Sequence, residues 1–234
     1  MPGRDKINEL RSLIQSKIAR DRLSMEQLTH LPVDDVPFWV VDVETTGDRS
    51  HDRIIEVAAI KVREGEMQRV INQLVNPGHP VSNFAQNLTG ITDEMLSSAP
   101  PPEEVYPWLF SHLKNGVFVA HRANFDRSFI DLEARLLGLK ELSIPTLCTV
   151  RLSKRLVSDL PGHSLDHIAS YFGLEFGPVS SKSSRHRALG DAWVCARAFI
   201  SLLELAKKIG VRTFEELSQL ESMPIRKAKN LWRI

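Results

Sequence analysis

Cysteine is scarce in this chain: Cys148 and Cys195 are its two cysteines, far apart and outside any Cys-x-x-Cys pair. That argues against a disulfide framework and against a cysteine-based zinc or redox centre, and both are expected to be reduced core residues. Long apolar runs are missing too, and without ~20 uninterrupted apolar residues no membrane span is expected. Met1 to Ile14 mixes charged with apolar residues and has no apolar segment leading to a small-residue cleavage site, so the expected location is cytoplasmic. Nor does one sign of charge dominate. Thirty Lys and Arg face 29 Asp and Glu, a formal net charge of +1, whereas a dedicated duplex binder usually carries a strong basic excess. Balance is not absence, however, because carboxylates gathered around metal ions mask an equal number of basic residues elsewhere.

What is present reads as an α/β protein with one substantial core and terminal extensions, divided into 1–33, 34–208 and 209–234. Ile7, Leu10, Ile14 and Ile18 recur at helical spacing and predict an amphipathic N-terminal helix, which would pack on the core or on a second copy. After a break near Leu31-Pro32, strands are predicted over 38–43, 54–62 and 70–75, an antiparallel start to a sheet, with the turn at 63–66. Pro77, Gly78 and Pro80 mark a loop, and Pro100 to Pro102 precede a helix over 103–113. A short strand at 117–120, a helix over 125–137 ended by Gly138, and a strand end at 146–149 follow. Helices over 164–172 and 188–205 complete the core. In the last unit, Thr213 and Glu216 have capping-box spacing and Pro224 opens a final short helix, whose Arg226, Lys227 and Lys229 with Trp232 suit a strand contact or a docking helix.

Asp42 and Glu44 close the first strand in Val40-Val-Asp-Val-Glu-Thr-Thr-Gly47. Residues i and i+2 of a strand project from one face, so both carboxylates enter one space, and Gly47 lets the chain turn away. Two adjacent like charges are costly without a cation between them, although an Asp-x-Glu pair at a strand end commonly just faces water. Asp126 falls where a short buried strand gives way to a helix, a location where α/β folds present ligand-binding groups, but a first-turn acid is the plainer reading. His121 is read as structural. His186 and Asp191 bracket the start of a helix, behind the polar stretch Ser180-Ser-Lys-Ser-Ser-Arg185. A histidine there, with an ordinary pKa near ~6.5, suits proton transfer at neutral pH or has no task at all.

Taken together, Asp42-Val-Glu44-Thr-Thr-Gly47, His121-Arg-Ala-Asn-Phe-Asp126 and His186-Arg-Ala-Leu-Gly-Asp191 resemble the three ordered motifs of the DnaQ-like, or DEDDh, 3′–5′ exonucleases. That superfamily includes the proofreading epsilon subunit of bacterial DNA polymerase III. The resemblance spans about residues 37 to 205 and extends to segments such as Leu88-Thr-Gly-Ile-Thr-Asp-Glu-Met-Leu96 and His163-Ser-Leu-Asp-His-Ile-Ala169. Arg122 departs from it, where many members have Asn. The resemblance implies an RNase H-like mixed five-stranded sheet flanked by helices, with the exonuclease domain over 34–208. It further implies two Mg²⁺ or Mn²⁺ ions held by Asp42, Glu44, Asp126 and Asp191, with His186 deprotonating the attacking water and a nucleoside 5′-monophosphate leaving.

The implied substrate is a single-stranded nucleic-acid end, DNA ahead of RNA, and the implied partner a DNA polymerase or repair complex. Thr45 and Thr46 would bind the terminal sugar or phosphate, Leu88, Thr89, Gly90 and Ile91 would line the terminal base, with Leu88 and Ile91 equally readable as core, and Phe125 would pack under the site, an aromatic there being more often structural than a stacking platform. Lys182, Arg185 and Arg187 would meet phosphates or form a solvated basic loop. The rival readings are an exoribonuclease of the RNase T or oligoribonuclease type, an inactive nuclease-like binding module, and a phosphatase using the same metals.

Overall fold

The computed structural model describes residues 24–47, 52–176 and 185–231. The helix expected around Ile7 to Ile18, and Lys182 with its polar neighbours, lie outside the described residues. Five strands, β1 (Phe38–Thr45), β2 (Ile54–Arg63), β3 (Glu66–Leu74), β4 (Val117–Ala120) and β5 (Thr146–Cys148), form one sheet in the order β3-β2-β1-β4-β5. The pairings β3-β2 and β2-β1 are antiparallel, whereas β1-β4 and β4-β5 are parallel. This is the mixed, RNase H-like sheet that the motifs implied. Ten helices are present among the described residues: α1 (Met25–His30), α2 (Asn83–Thr89), α3 (Asp93–Ser97), α4 (Pro102–Leu113), α5 (Asn124–Leu136), α6 (Thr149–Leu156), α7 (Leu165–Phe172), α8 (Ala188–Lys208), α9 (Phe214–Ser222) and α10 (Ile225–Asn230). None of the described helices is long and apolar enough to cross a membrane.

Strand alternation divides the core in two. Phe38 and Val40 of β1, with Ala58, Ile60 and Val62 of β2, face α8, where the Phe38 and Phe199 rings meet edge-on at 4.8 Å. Trp39, Val41 and Val43 face the other way, against Tyr106, Leu109 and Leu113 of α4 and Phe129 and Ile130 of α5. Because β1 is covered on both faces, its sequence reads as a near-continuous apolar run. Edge strand β3 extends further back than the predicted 70–75 because Glu66 to Val70 is largely exposed and offers no apolar signal. Cys195 is buried, but Cys148, last in edge strand β5, is only half-buried, and both are free.

Two buried glutamates fasten helices to β2. The Arg187 side chain does not reach for phosphates: its Nε and Nη2 donate to Glu56 at 2.9 and 2.8 Å, and the Ala188 backbone N–H adds a third bond at 3.0 Å. Arg187, at the N-cap, provides no side-chain cap for α8, so Glu56 satisfies one of its open N–H groups from the sheet. Glu133 of α5 likewise accepts from Arg53 Nε and Nη2 at 2.8 and 2.5 Å, next to β2. At the C-terminal end, Arg155 donates to the Met223 carbonyl at 2.6 Å and Glu221 receives the Cys148 N–H at 3.1 Å, while Phe214, Leu217 and Leu220 join the α8-side core. Replacing Glu56 by Ala leaves half-buried Arg187 without its acid and is expected to cost about 3 kcal/mol in urea unfolding. A loss indistinguishable from zero would show that α8 docks without the pair.

Candidate active site

The parallel half of the sheet builds the site. β1 and β4 run side by side, so the C-terminal end of β1 and the start of α5 after β4 open at the same edge. Asp42 and Glu44 point toward the α8 face, and Asp191 enters from the first turn of α8. One carboxylate oxygen from each of these three lies within 4.8 Å of the others. Asp126, buried in the first turn of α5, borders the same cleft but falls outside that tight group. The cleft has a volume of about 990 Å³.

Burial is the main reason these acids hold protons. It lifts Asp42 well above the usual range, with Asp126, Asp191 and Glu44 adding repulsion. Burial and then Asp191 push Glu44 up to about 8. Asp126 is also raised to about 8 by burial, against the pull of backbone N–H groups, and Asp191 to about 6 by burial, against the pull of Arg185. Asp191 Oδ1 is buried and has no hydrogen-bond partner. An all-oxygen donor set with a bare carboxylate oxygen suits a hard divalent cation, so the residues fit the Mg²⁺ or Mn²⁺ that the motifs implied.

His186 lines the cleft on a left-handed turn, φ 60°, just before α8. Partial burial and then Arg185 lower its pKa, which favours the neutral ring. His121 also lines the cleft. Its Nδ1 lies 3.0 Å from Thr149 Oγ1, its Nε2 is buried without a partner, and burial pushes its pKa down to about 4.

Of the expected substrate contacts, Thr45, Thr46, Leu88, Thr89 and Phe125 line the cleft, and all three threonine hydroxyls are already engaged: Thr45 donates to the Gly47 carbonyl, Thr46 to Asp52 at 2.8 Å and Thr89 to the Ala85 carbonyl at 2.8 Å. Gly90 and Ile91 do not line it. Gly90 ends α2 at φ 70°, and Ile91 is fully buried with Ile55, Val81 and Leu96. Gly47 permits a close approach, because a Cβ there would meet an Asp52 carboxylate oxygen at 2.5 Å. One exposed aromatic in the cleft is not singled out by the motifs. Phe84 is 74% exposed one helical turn before Leu88, a spacing that was readable once 83–89 is taken as helix. Arg185, expected to meet phosphates, instead donates to Asp191.

The exonuclease model for the RNase T family matches residues 39–199. The chain belongs to that exonuclease family. Within it, the chain is similar to the PolC-type DNA polymerase III of Caldanaerobacter subterraneus subsp. tengcongensis, 38% identical over 184 residues, 78% of this chain and 13% of that one. The Thermotoga maritima PolC-type polymerase is 37% identical over 80% of this chain and 13% of its own length. The chain thus spans about an eighth of these curated relatives. Among solved structures, exonuclease X in complex with 5′ overhanging duplex DNA matches at a TM-score of 0.61 and 25% identity, over 79% of this chain and 99% of that one. E. coli exonuclease I with a dT13 oligonucleotide matches at 0.63 and 15% identity, over 75% and 43%, a likeness of fold.

The raised carboxyls fix a sign. The ordinary Glu value is 4.5, and folded Glu44 keeps its proton to about 8, so each rise in pH between these values draws stability from the ion-free fold. A divalent cation binds the deprotonated form and reverses that loss. The gain in melting temperature on adding Mn²⁺ is therefore expected to grow between about pH 5 and about pH 8. A gain that stays flat with pH in a thermal scan would contradict this charge balance.

Proposed function

We propose that this exonuclease-family chain removes nucleotides one at a time from the 3′ end of single-stranded DNA, releasing nucleoside 5′-monophosphates. The observation that carries the reading is the meeting of Asp42, Glu44 and Asp191 within 4.8 Å, with Asp191 Oδ1 buried and unpartnered, in the wall of a nucleotide-sized cleft. Asp42, Glu44 and Asp191, with Asp126 beside them, would hold two divalent ions. These supply positive charge to offset the charge that builds on the phosphoryl oxygens as the phosphodiester is cut.

The chain's own groups do the rest. His186 Nε2 or Nδ1 takes the proton of the attacking water, which its lowered pKa permits at neutral pH. Leu88 and Phe84 on α2 face the terminal base from one side and Phe125 from the other, where its ring is braced by Phe129 at 5.0 Å. Thr45 and the chain around Thr46 hold the sugar end. An end already unpaired enters most readily, since extracting a paired terminus costs stacking and pairing energy. Similarity to PolC-type polymerases supports work beside a DNA polymerase, with a proofreading or repair role.

A time course on 5′-labelled strands is expected to give a ladder shortened from the 3′ end, with DNA degraded faster than RNA and all cleavage stopped by chelator. Preference for RNA would turn the reading to an exoribonuclease. His186→Ala is expected to lower kcat by roughly 100-fold or more while strand affinity in the presence of Ca²⁺ persists. An unchanged turnover number would remove His186 from proton transfer.

A further inference from the structure

Arg185 occupies the place where charge is most contested. Its Nε and Nη2 fork onto the Asp166 carboxylate of α7, both at 3.1 Å. Its Nη1 donates to Asp191 Oδ2 and lies 3.3 Å from His186 Nδ1. The guanidinium carbon sits 5.1 Å above the Phe176 ring. One planar cation therefore ties together an acid of the cluster, the candidate base and a neighbouring helix, and every edge of its fork is in use.

The two acids it grips differ. Asp166 is exposed, well able to keep a guanidinium in water, whereas Asp191 is buried beside Asp42 and Glu44 and has a second oxygen with no partner. A divalent ion bound by Asp42, Glu44 and Asp191 would bring its charge to the acid that Nη1 holds. Two cations on one carboxylate repel, and the guanidinium has another anchor to fall back on. Because the same Nη1 faces His186 Nδ1, its withdrawal from Asp191 also changes what holds the histidine.

We propose that Arg185 is the resident counter-ion of the acid cluster, displaced from Asp191 by the arriving divalent ion and retained by Asp166, so that ion loading and the placement of His186 are one event. This rests on the proposed nuclease reading of the site. Arg185 is thus a positioning residue, and it opposes ion binding until it is displaced.

Mn²⁺ binding, followed by loss of the free-ion EPR signal, separates the possibilities. Arg185→Gln is expected to bind Mn²⁺ about ten-fold more tightly than the native chain, while Arg122→Gln, which removes a cleft-lining charge that does not touch Asp191, changes affinity less than about three-fold. A second readout is the melting temperature: Arg185→Gln is expected to melt lower in chelator and level with the native chain at saturating Mn²⁺. A merely structural contact would lower both. Arg185→Met, which keeps the aliphatic stem, gives the same comparison should the glutamine variant not fold. Equal affinity for native and Arg185 variants, or equal tightening by Arg122→Gln, overturns the counter-ion role and leaves the nuclease reading standing. No Mn²⁺ binding by the native chain overturns both.

Discussion

Four carboxyl groups lose water together when this chain folds, and the rest of the architecture answers to that crowding. Asp42 and Glu44 cannot avoid each other, because strand alternation points both to one face of β1. Asp191 and Asp126 are brought to them by helices that the sheet itself grips. Glu56 holds the start of α8 and Glu133 holds α5, each through a forked arginine pair with little access to water. Left to themselves, like charges would splay apart. Anchoring from β2 denies them that relaxation, so burial first, and repulsion after it, raises their proton affinity.

The same crowding shapes what the cleft accepts. An acidic wall repels a phosphodiester, and only bound positive charge makes the encounter favourable. The lining is not acidic throughout: Phe84, Leu88 and Phe125 add exposed apolar surface to the same cleft. A nucleotide has a similar mixture, an anionic end and an aromatic end, which is why the proposed function places one here. The sheet edge at which β1 ends and α5 begins brings Asp42, Glu44, Phe125 and Asp126 to one cleft.

Much of this was legible in the residues. The strands of the buried half announced themselves through Val, Ile and Ala runs, and Asp42, Glu44, Asp126, His186 and Asp191 stood out because three motifs appear in order. What escaped notice had weak or divided signals. α6 was passed over because its buried stripe includes Ser153 and Arg155 beside Leu152 and Leu156, so polar residues break the apolar period. α1 carried a capping box in Ser24 and Gln27 but only one buried residue, Leu28. α2 and α3 are short, seven and five residues, and give too few turns for an apolar period to show. Ile91, open in the text between base contact and core, goes to the core through partners from β2 and α3. Arg185 and Arg187 look alike in the text. Only the fold shows that one grips Glu56 beneath the helix and the other leans over the acids.

The acids that meet in the cleft come from the first strand, the helix after the fourth strand and the long helix near the end of the chain. A ribosome releases them in that order, with most of the domain made before Asp191 emerges. Until α8 has docked, Asp42 and Glu44 lack their third oxygen donor and the nascent polypeptide owns no cage for ions. Whatever the cluster does is thereby withheld from a copy that stops short of α8, without an inhibitor, by the separation of its parts along the message.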